Sequence, residues 1–253
     1  MNQVFMKNIA CSFTALTAVL MLASGCAAQN NASKFGGFGS QQPTSQNAAG
    51  TLTSATNNSP GLLDPTKATD TAPAQFDVLC RTNKGVMTIR VHRDWAPNAA
   101  DRFYNMVNVG FFNDIAIFRA IEGFMFQFGI NGNPAVNAKW SEATIRDDPW
   151  AGQSNLRGRV TFAQTGAPNS RSTQMFINLR DNKELDKPRG GGSAFIPFGE
   201  IIGGHDVMDK INTKYGENGR DIQPGYKSRG DAFIRAKMPE ATRIFSITLK
   251  PNN

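Results

Sequence analysis

Apolar residues alternate with polar ones at Phe76, Val78 and Cys80, and again at Met87, Ile89 and Val91, with Asn83-Lys84-Gly85 between the two runs. A period of two puts one face of an extended chain on a core, and a break rich in Asn and Gly supplies a turn, so the pattern predicts a β-hairpin. The period then changes. After Pro97, residues Ala99, Phe103, Met106 and Val107 recur at helical spacing and Gly110 follows as a stop signal, which predicts an amphipathic helix. Further strand-like runs occupy 115–121, 124–129, 159–164, 174–179, 197–202 and 243–249, with a second short helix at 206–213. Eight strands and two helices fit a mainly β fold, a closed eight-stranded barrel capped by two helices. Residues 214–240 read as an extended excursion before the last strand, with a helical turn at 231–237.

The N-terminal third has a different pattern. Residues 9–23 form an apolar stretch behind Lys7 that ends in Leu22-Ala23-Ser24-Gly25-Cys26. It is too short to span a bilayer comfortably and reads as a signal peptide over 1–25. Small residues before a cysteine resemble the lipobox of bacterial lipoproteins, although Leu22 is one place further from Cys26 than in the commonest pattern. That resemblance implies a lipid on Cys26 and, with Ala27 rather than Asp after it, an outer-membrane anchor facing the periplasm. Residues 27–75 are Asn, Gln, Ser, Thr, Gly, Ala and Pro with few charges, too polar to bury a core, and read as a disordered linker. As a flexible coil these 49 residues would span about 40 Å. The organisation expected is therefore a signal peptide at 1–25, a lipidated N-terminus and linker at 26–75, and one folded domain at 76–253.

Composition narrows the chemistry. The 253 residues carry 27 Lys and Arg against 20 Asp and Glu, a net charge of +7. Acids such as Asp147, Asp148, Glu184 and Asp186 are interleaved with the bases, so no nucleic-acid stripe forms, and the excess suits anionic phospholipid or an envelope polymer. His92 and His205 lack further ligands at metal spacing, which predicts no metal and no cofactor. The three cysteines give the domain no disulfide framework, and Cys80 reads as a small buried residue. Gly190-Gly191-Gly192 lacks the context of a phosphate loop, Asp147-Asp148 reads as a solvated loop, and no Gly-x-Ser-x-Gly elbow occurs.

What remains is a set of apolar, Arg-flanked strands. Phe118-Arg119-Ala120-Ile121-Glu122-Gly123-Phe124-Met125-Phe126-Gln127-Phe128-Gly129 sets a cation and an amide beside Phe and Met. Later come Val160-Thr161-Phe162-Ala163-Gln164-Thr165, Gln174-Met175-Phe176-Ile177-Asn178 and Pro197-Phe198-Gly199-Glu200. Together these stretches resemble the signature segments of cyclophilins, from about Phe76 to Leu249. The resemblance implies an antiparallel cyclophilin-like barrel and peptidyl-prolyl cis-trans isomerase activity on proline-containing polypeptide clients, by a monomer. By position it implies Arg119 as the catalytic arginine, Phe124, Met125 and Phe176 as the proline pocket with Leu185 at its rim, and Gln127, Ala163, Gln164 and Gln174 as the peptide-binding surface. Phe195 falls where the family has a pocket His. Glu184 replaces a frequent Trp, Glu122 a Pro, and Phe128 a common Gly.

The function expected is isomerisation of X-Pro bonds in exported proteins, assisting folding in the cell envelope. Two rivals remain: a catalytically weak cyclophilin-like module that binds proline peptides and uses 214–240 for a partner, and an envelope glycosidase or cell-wall binder supported by location and charge.

Overall fold

The computed structural model describes residues 59–188 and 193–251. The expected signal peptide, the Cys26 lipidation site, linker residues 27–58 and the glycine run at 190–192 lie outside the described residues. In chain order the helices and strands are α1 (Pro60–Leu63), β1 (Gln75–Thr82), β2 (Gly85–His92), α2 (Pro97–Asn108), β3 (Ile115–Ala116), β4 (Arg119–Ile121), β5 (Met125–Phe128), α3 (Pro134–Glu142), β6 (Arg159–Phe162), β7 (Met175–Asn178), β8 (Pro197–Gly203), α4 (His205–Met208), α5 (Asn218–Lys237) and β9 (Arg243–Leu249). Turns of 3-10 helix cover Pro65–Lys67 and Lys183–Asp186.

The alternation of the first hairpin is realised as antiparallel pairing of β1 with β2, Thr82 opposite Gly85 at the turn. It turns Val78 and Cys80, and across from them Met87, Ile89 and Val91, into the core. The helical spacing of α2 likewise delivers Phe103 and Met106, and Phe103 meets Phe112 and Phe198 at ring distances of 5.5 and 5.3 Å. Each such fully buried side chain contributes about 1.5–3 kcal/mol of transfer free energy. The helix has no side-chain cap of its own. Asp148 supplies one from a distant loop, accepting the Asn98 and Ala99 N–H groups at 2.7 and 3.0 Å, while Asp147 accepts from Arg171 at 2.8 Å. The Asp147-Asp148 pair is therefore built into the fold rather than solvated, and burial raises the Asp148 carboxyl above the ordinary range against the pull of its two backbone bonds.

The mainly β, antiparallel architecture expected from the sequence is observed, with nine strands instead of eight. Their order is β3-β9-β1-β2-β8-β6-β7-β5-β4. The extra strand arises because residues 115–121, expected as one strand, change partner midway: β3 pairs with β9 and β4 with β5. The hydrogen-bonded ladder is thus open where a closed barrel was expected, and its two edges are successive pieces of a single stretch of chain. The free edge of β4 is covered by the loop leading into α5. Ala120 makes a β-bridge with Gly216, and a Cβ at Gly219 would come within 2.0 Å of the Phe118 carbonyl oxygen.

The helices depart further from expectation. Five are present among the described residues instead of two. Helix α3 starts on Pro134 with Asn133 accepting from Ala135 N–H at 2.9 Å, and it buries only Val136, Asn137 and Trp140, too few positions to mark a period. The short helix after β8 covers His205–Met208 and not 206–213. The supposed excursion at 214–240 is largely α5, with Pro224 inside it and a kink at Gly230, whose φ is +70°. Tyr226, Ile234 and Met238 pack it on Phe118 and Ile130, and the Tyr226 hydroxyl accepts from Ala116 N–H at 3.1 Å. Arg243 adds bonds to Asp114 and Asp231, both at 2.7 Å.

Residues 60–75, expected to be linker, also belong to the fold. Trp140 Nε1–H donates to the Leu62 carbonyl at 2.8 Å, and Asp70 and Asn105 exchange two hydrogen bonds of 2.9 and 2.7 Å. Main-chain atoms make these contacts, which is why a polar composition concealed them. A chain starting at Gln75 leaves Trp140 and Asn105, both buried, without these partners, at about 1–3 kcal/mol for each unsatisfied group. Its urea midpoint is expected to fall well below that of a chain starting at Ser59; equal midpoints would refute the contribution.

Candidate active site

Arg119 opens β4 and lies directly across from Gln127 on β5, which in turn faces Phe176 on β7. Cross-strand register therefore brings a cation, an amide and an aromatic ring together without any loop having to position them. These residues line a cavity of about 590 Å³, and every cavity residue expected from the sequence is on its wall: Arg119, Phe124, Met125, Gln127, Ala163, Gln164, Gln174, Phe176, Leu185 and Phe195.

The cavity has an apolar end and a polar end. Met125, Phe176 and Leu185 form a buried cluster against which Phe124, Ala163 and Phe195 pack, with the Phe176 and Phe195 rings edge-on at 5.5 Å. Leu185 sits on the 3-10 turn Lys183–Asp186, anchored by Asp186, which accepts from Asn155 N–H and Nδ2 at 2.9 and 2.8 Å. At the polar end Arg119 Nη1 donates to Gln127 Oε1 at 3.1 Å, and Gln127 Nε2 donates to Gln174 Oε1 at 2.9 Å. Gln164 is held by Ser193, whose hydroxyl donates to Gln164 Oε1 at 3.1 Å.

Of the four departures from the family pattern, Phe195 stands on this wall and the other three fall away from it. Phe128 is fully buried in the core beside Phe112 and Phe126. Glu184 pairs with Arg180 at 2.9 Å, and Glu122 is exposed.

Sequence reasoning missed the wall opposite the strands. Glu217, Arg220, Gln223 and Lys227 line the cavity from the start and first turns of α5, together with Thr165, Ser170 and Ser172. Spacings of three and four along 217, 220, 223 and 227 are the trace of one helical face; the interior Pro224 masked it. Glu217 takes a two-pronged hold on Arg119, accepting from Nε at 3.0 Å and from Nη2 at 2.6 Å. This bond to Arg119 outweighs the opposing effect of burial and keeps the Glu217 carboxyl below the usual range.

Among the described lining residues there is no His or Cys, and the one carboxylate is committed to Arg119. A charged, fixed donor beside an apolar slot is suited to polarising and gripping a substrate. The family model described as "Cyclophilin type peptidyl-prolyl cis-trans isomerase/CLD" matches residues 76–228. The chain belongs to the cyclophilin-type peptidyl-prolyl cis-trans isomerase family.

Similar proteins include peptidyl-prolyl cis-trans isomerase B of Escherichia coli K12, 35% identical over 136 residues that cover 53% of this chain and 82% of that protein. A peptidyl-prolyl cis-trans isomerase of Acinetobacter baylyi is 34% identical over 140 residues, covering 55% of this chain and 73% of the other. In fold, the isomerase resembles a crystal structure of a Cryptosporidium parvum cyclophilin-type peptidyl-prolyl cis-trans isomerase, with a TM-score of 0.52 at 19% identity over 71% of this chain and 99% of that one.

Cys80 lies in the core of this isomerase and not in the cavity, and burial pushes its thiol up to about 12. In the native protein Cys80 is expected to resist alkylation at pH 8 and to react fully after unfolding, as mapped by peptide mass spectrometry. Ready labelling of the native protein would contradict the burial.

Proposed function

We propose that this isomerase accelerates X-Pro rotation in exported proteins at the cell envelope, with Arg119 as its catalytic residue. The observation that carries the reading is the position of Arg119, its side chain 12% exposed, beside the apolar cluster of Met125, Phe176 and Leu185. A proline ring in that slot would bring its amide nitrogen to the guanidinium.

The barrier to X-Pro rotation is about 20 kcal/mol and comes from amide resonance. As the bond twists, the nitrogen lone pair leaves conjugation and becomes a hydrogen-bond acceptor, which it is not in either planar isomer. A donor aimed at that nitrogen therefore stabilises the twisted state selectively. Three decades of acceleration require about 4 kcal/mol, within reach of one preorganised charged donor in a desolvated site. Gln127, Gln164 and Gln174 supply amide groups for the client backbone on either side of the proline.

The apolar segment before Cys26 and the lipobox-like Leu22-Ala23-Ser24-Gly25-Cys26 support export and lipidation. Acyl chains on Cys26 would tether the domain durably, at about 0.8 kcal/mol per buried methylene, and Ala27 supports an outer-membrane address facing the periplasm. The clients are then proteins that fold after crossing the inner membrane.

Arg119→Ala is expected to lower kcat/KM in a proline-peptide assay about 10²–10³-fold, the cost of removing one preorganised donor, with circular dichroism unchanged. Activity within two-fold of the parent would exclude Arg119 from catalysis. Cys26→Ser is expected to move the protein from the membrane fraction to the soluble one; a variant that stays with the membrane would rule out the anchor.

A further inference from the structure

The geometry points to Glu217 as a positioning residue of the isomerase: it clamps the Arg119 guanidinium along one edge and leaves its terminal donors for the client. This rests on Arg119 being the catalytic residue.

A guanidinium has five N–H groups in one plane. Glu217 takes the one on Nε and one on Nη2, and Gln127 takes one on Nη1. Two are left, one on each terminal nitrogen. Both partners lie to the sides of the group, so together they fix its plane and its rotation without using up its donors. An arginine side chain has several rotatable bonds, and a donor that must find its orientation as the amide twists stabilises the twisted state less than one already aimed.

The clamp is itself held. Glu217 immediately precedes α5, between Gly216, which bridges Ala120, and Gly219, which lies against the Phe118 carbonyl. Both contacts are to β4 or the residue before it, the element that carries Arg119. The carboxylate and the guanidinium thus ride on one rigid unit and keep their spacing. Of Glu217's side chain 58% is exposed, so its pairing adds little to folding and its effect is concentrated on Arg119. Arg220, 3.7 Å away on the first turn of α5, is the other charged group facing it.

A carboxylate in this place could instead compete with the client for Arg119, and the two roles have opposite signs. In the purified full chain, Glu217→Gln is expected to lower kcat about 10-fold, short of the roughly 10²-fold that a misplaced catalytic group can cost, with KM within two-fold. The Arg119 Nε–H resonance in ¹⁵N NMR, expected to be resolved and slow to exchange in the parent, should be lost in this variant. Glu217→Asp, which keeps the charge, should restore part of both. Unchanged kcat in Glu217→Gln would overturn the inference, and so would a raised kcat, which would mark the carboxylate as a competing ligand. Arg119→Ala measured alongside separates the two levels. If it retains turnover, the catalytic reading fails; if it is inactive while Glu217→Gln matches the parent, only the clamp fails.

Discussion

Between Gly219 and the Phe118 carbonyl there is no room for a side chain, and much of the cavity's character follows from that approach. The loop before α5 lies along the edge of β4 where, in a fully closed barrel, another strand would continue. By doing so it satisfies part of an edge that would otherwise be exposed and delivers Glu217 to the flank of Arg119. The covered edge of β4, the helical wall of the cavity and the charge partner of the arginine therefore share one cause.

The opposite wall depends on register. Arg119, Gln127 and Phe176 are successive partners across β4, β5 and β7, and a slip of one residue in either pairing would turn the guanidinium or the amide to the wrong face. The apolar end is equally constrained, because Met125 and Phe176 come from the same strands that carry the polar groups. A rigid sheet sets the distance between the apolar slot and the guanidinium. The α5 side is the part on which related chemistry could be varied, since Arg220, Gln223 and Lys227 touch the cavity without carrying its core.

The strand framework was legible because alternation is a direct image of one-sided burial. Phe76, Val78 and Cys80 or Met87, Ile89 and Val91 could hardly be anything else, and the residues lining the strand side of the cavity were recognisable from their motifs. Elements held by main-chain contacts or by a few large side chains were not. Helix α3 rests on Trp140 and Val136; residues 60–75 are fastened through backbone groups of Leu62, Asp70 and Ala72. In α5, Pro224 and Gly230 break the signal that Tyr226 and Ile234 would otherwise give. Glu217 was invisible for a different reason: a Glu in a polar loop has no pattern, and only the approach of Gly216 and Gly219 to β4 gives it a partner.

Strand β9 is the last element of the chain, yet it sits inside the sheet, between β3 and β1. The first hairpin can form early from local contacts, but residues 115 and 116 have no ladder partner until 243–249 are available. Such long-range pairing is slow to nucleate and comes late in folding. Until then β1 and β3 lack β9, whereas Arg119 already has its supports, β5 on one side of β4 and Gly216 on the other. The wall of the cavity and the completion of the sheet thus belong to different stretches of chain, 119–227 and 243–249.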